Sequence, residues 1–512
     1  MADRPVQISA IALSGLIAAL VLGTALALAS QAKGLSLRPA DWSAIRFTLL
    51  QASLSTSFSC ALAIPVARAL MRRRFPGRAA LIVLMGAPFL LPVIVAVLGL
   101  LSIYGRSGIL NLALGTVGLP PVTIYGLKGV VLAHVFFNLP LATRMLLNGW
   151  HAIPAERFRL AQTLGLPTPF RHIELPMLRM VLPGAALAIF LVCLTSFVVA
   201  LTLGGGPKAT TLELAIYQAL RFDFDPGRAA LLAAVQFALC LIAVALAARA
   251  TLPEGLGAGQ DRPLNLQAPQ GWRRLGDAVV ILLAALFLIL PLAAILVDGV
   301  PGLTRLGSTA WAAALRSVWM ALISAALAVS CALTLTLAAV QEGAGRRWIE
   351  GISMLPMATS GLVLGTGLFL LVRGFVAPEA VALPVTIVVN ALMALPFLYR
   401  LLLPEVRTLH ADYDRLAQAV GLSGGARLRW LTLPRLARPL GLGAGLAAAL
   451  AMGDLGVIAL FAGEGQATLP LVVQRLSGAY RMQEASAAAL LLVAVSFALF
   501  ALCDLGGRRA AP

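Results

Sequence analysis

Apolar residues run in windows of about twenty along most of this chain, the length an α-helix needs to cross a hydrocarbon core. The windows fall near 8–30, 47–71, 79–104, 129–149, 181–203 and 229–250, then near 278–298, 312–340, 348–373, 381–403, 439–462 and 486–505. They predict an all-α, polytopic membrane protein of about twelve spans. A polar stretch bearing Gly and Pro divides the windows evenly. The expected division is therefore a first repeat over 1–250, a linker over 251–277 and a second repeat over 278–512. The first window follows Arg4 and runs from about Ile8 to Ser30. A signal peptide has an apolar core of only about 7–15 residues, so the expectation is a retained spanning helix.

Two polar interruptions stand out because they share one pattern. The first opens at Pro140 and closes at Pro176; the second opens at Pro396 and closes at Pro434. Each carries an arginine four residues after its first proline (Arg144, Arg400), then Arg-Leu-Ala-Gln (Arg159 to Gln162; Arg415 to Gln418), then Gly-Leu and finally Leu-Pro. Pro140 to Gly165 and Pro396 to Gly421 both span 25 residues, and the copies are offset by 256. Other matches flank them. Pro88 precedes Gly99-Leu100 as Pro356 precedes Gly367-Leu368, and Thr211-Leu212-Glu213-Leu214 parallels Thr468-Leu469-Pro470-Leu471. A same-order repeat with an even number of spans per copy gives parallel halves about an axis along the membrane normal, with a substrate path between them.

Composition agrees with lipid as solvent: 60% of residues are hydrophobic and 12% charged. The formal charge of +18 does not indicate nucleic acid, since no aromatic-basic interleaving accompanies it. With the N-terminus taken as cytoplasmic, roughly two thirds of the Lys and Arg fall in cytoplasmic segments, which places both termini and both polar loops inside. The five cysteines lie far apart and the four histidines form no ligand pair, so no metal site is expected. A Walker A loop needs Gly-Lys before Ser or Thr. Lys33, Lys128 and Lys208 are the only lysines and none follows glycine. This chain should hold no cofactor and should not bind ATP by that motif.

The second loop places Tyr413, Leu416, Ala417 and Val420 on one helical face, with Asp412 and Asp414 near the expected start and Gly421 at the end. In the first, Leu160, Ala161 and Leu164 form the stripe, Glu156 lies near the start and Gly165 closes the helix. Amphipathic helices resting on headgroups would look the same. The duplication favours docking to a two-fold partner.

This pattern resembles the cytoplasmic coupling loop of ABC-importer permeases, a short helix with Glu-Ala-Ala, three residues, Gly and then Leu-Pro. Gly421 to Pro434 spans thirteen residues, as is usual in that family, and Gly165 to Pro176 eleven. Both copies carry arginine, Arg159 and Arg415, where the family commonly has glutamate, which leaves the role of those two positions open. A wider resemblance covers nearly the whole chain. Leu203 to Leu220, Phe222 to Pro226, Gly453 to Phe461, Thr468 to Pro470 and Ser477 to Arg481 are similar to segments of the fused permeases of bacterial thiamine and thiamine pyrophosphate importers. Fused ferric-iron permeases share the architecture and the Gly-rich, Thr-Leu pattern, so that alternative stays open.

The resemblance implies a non-enzymatic transport subunit in a bacterial inner membrane. It implies coupling loops at about 150–180 and 404–438, docked to two copies of an ATP-binding subunit that uses the ATP. It further implies an external, periplasmic binding protein that delivers ligand to the outer loops. Docking residues would be Arg159, Leu160, Ala161 and Gly165 with Arg415, Leu416, Ala417 and Gly421. Outer-loop or path residues would be Gly204, Gly205, Gly206, Thr211 and Asp454. The glycines read better as a turn than as a phosphate cradle. Asp454, alone in the apolar body of its helix, either draws a cationic substrate or caps local backbone. A secondary transporter of the major-facilitator type has the same helix count, but needs buried coupling carboxylates and an acidic loop after its second helix. That loop here, Ala69 to Arg78, has no aspartate.

Overall fold

A computed structural model describes residues 4–32, 36–86, 90–164, 170–206, 209–247, 271–341, 346–463 and 465–510. Among these the chain is helical throughout. The first half contains α1 (Arg4–Gln31), α2 (Pro39–Arg72), α3 (Arg78–Leu84), α4 (Val93–Tyr104), α5 (Ile109–Thr116), α6 (Leu127–His151), α7 (Ala155–Thr163), α8 (Leu175–Leu194), α9 (Val198–Leu203), α10 (Leu212–Arg221) and α11 (Pro226–Ala247). The second contains α12 (Trp272–Gly299), α13 (Ser308–Ala339), α14 (Arg346–Met354), α15 (Gly361–Val372), α16 (Ala382–Ala419), α17 (Gly424–Arg427), α18 (Leu433–Met452), α19 (Gly456–Phe461), α20 (Leu469–Gly478) and α21 (Met482–Ala510). Among the described residues, eleven helical segments are long and apolar enough to cross a membrane, or up to 12 if the bent pair α14 and α15 counts as one span. The expected linker falls largely outside the described residues, and its last part is already helix, because α12 begins at Trp272.

Four expected spans are not continuous rods. The ninth turns through 93° between α14 and α15. A 3-10 turn over Leu355–Ala358 carries Pro356, and Ser360 then caps α15 by accepting from the Val363 amide at 3.1 Å. The third divides into α3 and α4, with residues 87–89 outside the described set. The fifth and eleventh stop at Leu194 and Met452 and resume as α9 and α19. A hydropathy window averages over these breaks, because the few polar residues at them, such as Thr195, Ser196 and Asp454, are outnumbered by apolar neighbours.

The halves exchange their first helices. α1 packs on α13, α14 and α15 of the second half as well as on α11 of the first, while α12 packs on α2 and α4 of the first as well as on α21 of its own half. Each exchange depends on a glycine. A Cβ on Gly99 of α4 would lie 2.5 Å from the Pro291 carbonyl oxygen of α12, and one on Gly367 of α15 would lie 2.5 Å from Thr24 Cβ of α1. These are the two repeat-related glycines, and only a missing side chain lets the helix axes approach this closely. The Phe136 ring meets Phe287 edge-on at 5.7 Å across the same boundary. An ion pair, Arg73 to Asp277 at 2.8 Å, ties the end of α2 to the start of α12. One hydrophobic core runs through both halves.

Replacing Gly99 or Gly367 by leucine should force the exchanged helix outward and destabilise the detergent-solubilised protein by about 1–3 kcal/mol, the usual range for overpacking. The same change at Gly15, where nothing lies within 4 Å of an added Cβ, should leave the melting temperature unchanged.

Candidate functional site

The two polar loops are built differently. In the first, α6 ends at His151 and a separate helix, α7, follows. Pro154 enforces the break, since it cannot donate to the previous turn. In the second, the residue at the equivalent offset is His410, which has an amide to donate. α16 accordingly runs unbroken from Ala382 to Ala419. The expected separate short helix around Arg415 is therefore the last turns of a 38-residue helix. Its end does follow the glycine: Gly421 has φ +72, and the Leu422 amide reaches back to the Ala417 carbonyl at 2.8 Å, a Schellman closure. Gly165 and the side chain of Arg159 lie outside the described residues. Arg415 is exposed.

Both loops expose the same face. Leu160 is 60% exposed and Leu416 58%, while their neighbours Ala161 and Ala417 are 3% and 2% exposed. Leu164 and Val420, one turn on, are also exposed. The expected stripe is thus divided: the alanines face the bundle, and the leucines and valine stand outside as two matching apolar knobs.

Each loop then re-enters through a five-residue π-helical turn, Phe170–Glu174 and Leu428–Thr432. Such turns are uncommon and concentrate at functional sites. The anchors differ. Glu174, almost fully buried, accepts from Arg68 Nε at 2.7 Å and lies 3.7 Å from Arg72, and Arg68 also covers the Phe170 ring at 4.4 Å. In the second half the position matching Glu174 is Thr432, and Leu337 and Gln341 match the two arginines. There the loop is held by an apolar cluster of Val406, Leu409 and Leu436 and by Arg427 pairing with Asp414 at 2.8 Å.

On the opposite side of the repeat, Gly204, Gly205 and Gly206 form a turn against the start of α6. The Gly126 amide bonds to the Leu203 carbonyl at 2.8 Å, and Gly205 and Gly206 take φ +73 and +129. Thr211 caps α10, accepting from the Leu214 amide at 3.3 Å. Asp454 lies at the break between α18 and α19. One of its oxygens takes the Val457 amide at 3.5 Å, and the other has no partner among the described residues.

Glu213 was not singled out by the sequence, though it sits inside a repeated motif. It is 0% exposed, and neither carboxylate oxygen meets a hydrogen-bond partner among the described residues. Burial pushes its carboxyl up to about 8, with the nearby Ser360 hydroxyl working in the opposite direction. The signal available in the sequence was the proline, Pro470, that occupies its place in the second half.

Two fused helical halves, exchanged first helices and paired amphipathic loops define a membrane permease of the kind that works with separate energy-supplying and ligand-binding proteins. Residues 330–510 match the family model described as binding-protein-dependent transport system inner membrane component. The thiamine transport system permease protein ThiP of Salmonella typhimurium is 41% identical over 490 residues, covering 92% of this chain and 90% of that protein. ThiP of Escherichia coli is 41% identical over 91% of this chain and 90% of its own length, and ThiP of Brucella abortus 40% identical over 95% and 93%. The chain belongs to this family of thiamine transport system permeases. It is a multi-pass transport subunit of the inner-membrane permease class, and the secondary-transporter alternative is set aside.

Glu174→Gln should remove the acid paired with Arg68 and weaken the hold on Arg72, costing about 3 kcal/mol as for a broken buried pair. It should also expose the first loop to limited proteolysis before the second. Gly421→Val should strain the left-handed turn by about 1–2 kcal/mol, redirect the second loop and lower uptake per ATP hydrolysed without blocking membrane insertion. Both effects can be read in purified complexes.

Proposed function

We propose that this chain forms the translocation path of an ATP-driven importer for thiamine and thiamine pyrophosphate. The observation that carries the reading is the pair of exposed apolar knobs, Leu160 with Leu164 and Leu416 with Val420, presented beside buried Ala161 and Ala417. Apolar side chains held out on rigid helices suit insertion into clefts on two ATP-binding subunits, one per loop. The charge bias of the sequence puts these loops and both termini in the cytoplasm. The glycine turn at Gly204 to Gly206 and the segment leading to Thr211 would then face an external binding protein. ATP hydrolysis belongs to the docked subunits. The chain converts their closure into a change of angle between the halves, and contributes no bond-making chemistry. The thiamine assignment rests on relatives named for thiamine transport that match it over about nine tenths of its length.

Co-expression with an ATP-binding subunit and binding protein, followed by reconstitution into liposomes, tests the reading. Labelled thiamine should accumulate only with ATP, and ferric iron should not. Leu160→Glu together with Leu416→Glu should release the ATP-binding subunits on size-exclusion chromatography and abolish uptake. Iron accumulation in place of thiamine would overturn the substrate, and full uptake by the double variant would overturn the docking role.

A further inference from the structure

Glu213 is a buried acid without an evident structural task. A carboxylate removed from water with no full partner is costly, so its presence calls for a reason. The repeat supplies an internal control for packing. α10 and α20 begin at equivalent threonines, although only the Thr211 hydroxyl accepts a capping bond. Thr211 and Thr468 are the respective N-caps, the Leu212 amide donates to Thr48 Oγ1 of α2 at 2.8 Å, and the Leu469 amide donates to Ser317 Oγ of α13 at 2.8 Å. The next residue is Glu213 in one half and Pro470 in the other. The second half builds the same helix start on the same tertiary hydrogen bond without a carboxylate, so neither capping nor packing calls for one.

Its location is equally specific. The helix bearing Glu213, α10, packs on α15 and α19 of the opposite half, beside Ser360 at the head of α15. Gln236, on α11, lies on the same side: its Nε2 donates to the Leu194 carbonyl at 2.9 Å and is 3.8 Å from the Cys240 thiol, which lies within the field of the Glu213 carboxylate. The Gln236 Oε1 has no partner among the described residues, nor has the second oxygen of Asp454. Asp454 precedes α19 and, like Glu213, has a neutral residue at its repeat-related position, Ser196. Unmatched acceptors therefore lie on or beside elements that pack across the two halves, and a ligand rich in donors and positive charge would complement them.

We propose that Glu213, supported by Gln236, is a cation-recognising element that becomes accessible when the halves part. Its ligand would be an organic cation carrying N–H donors. With the halves apart and water admitted, the carboxylate is ionised and attracts the cation. Closing α10 against α15 expels that water and withdraws the hold, so the same residue serves capture and release. This inference rests on the thiamine reading above, since thiamine combines a fixed positive ring with an aromatic amine.

The test uses the complete reconstituted transporter and compares Glu213→Gln with the unmodified chain, using thiamine and an uncharged isostere in which carbon replaces the ring nitrogen. Gln keeps the volume and removes the charge. The expected result is an apparent KM for thiamine raised about tenfold or more, with basal ATP hydrolysis, melting temperature and uptake of the neutral isostere unchanged. Glu213→Asp should recover part of the loss. Unaltered thiamine uptake by Glu213→Gln, or equal losses for the charged and neutral compounds, overturns the inference and leaves the thiamine reading standing. Failure of the unmodified complex to import thiamine overturns both.

Discussion

The architecture depends on two places where backbone lies against a neighbouring helix with no side chain between. At Gly99 the partner is the carbonyl of Pro291; at Gly367 it is Thr24. In lipid, burying leucine against leucine gives little net gain over leaving it among acyl chains, so helices associate through close packing of small residues. These glycines bring the first helix of each half onto the body of the other. Everything farther from the axis, including the two polar loops, is carried by helices fixed through that exchange.

The loops show how a duplicated element diverges without losing its outer face. One proline decides whether the first element is a detached helix, and its absence lets the second extend a spanning helix. The first loop is held by an acid between two arginines, the second by an apolar cluster and a surface-near ion pair. Leu160 and Leu416 nevertheless emerge with nearly equal exposure. What is common to the copies is therefore the surface presented. The internal support is free to vary, and a carboxylate–guanidinium contact is more directional than an apolar one.

Much of this was legible in the sequence, for identifiable reasons. The spans could be read because lipid imposes a minimum apolar length, and the loops because arginines interrupt that length at a fixed offset. The exchange of first helices was not legible. Gly99 and Gly367 were visible as matched positions, but a glycine does not name what lies against it. The breaks before α9 and α19 escaped because each is only three residues long, Thr195 to Phe197 and Gly453 to Leu455, within otherwise apolar sequence. The interruption at Pro154 and the continuity at His410 were both written in the chain, yet the shared Arg-Leu-Ala pattern suggested equal structures. Glu213 was visible only as one member of a repeated motif. Its burial comes from helices both near and far in the sequence, α11, α2, α15 and α19, and no local pattern reports that.

The exchange also has a consequence for synthesis. α1 emerges from the ribosome first and can meet α11 within its own half, but its other seats, on α13 to α15, are made only after residue 308. Until then much of its surface stays against the bilayer, which its many lipid-compatible positions, such as Ile8, Ile11 and Leu26, allow. The first half thus stays unfinished until the second is largely inserted. A chain truncated between them would leave α1 with its α11 contact alone and α4 without α12. Carrying both halves on one polypeptide guarantees that the missing seat is always the next thing made.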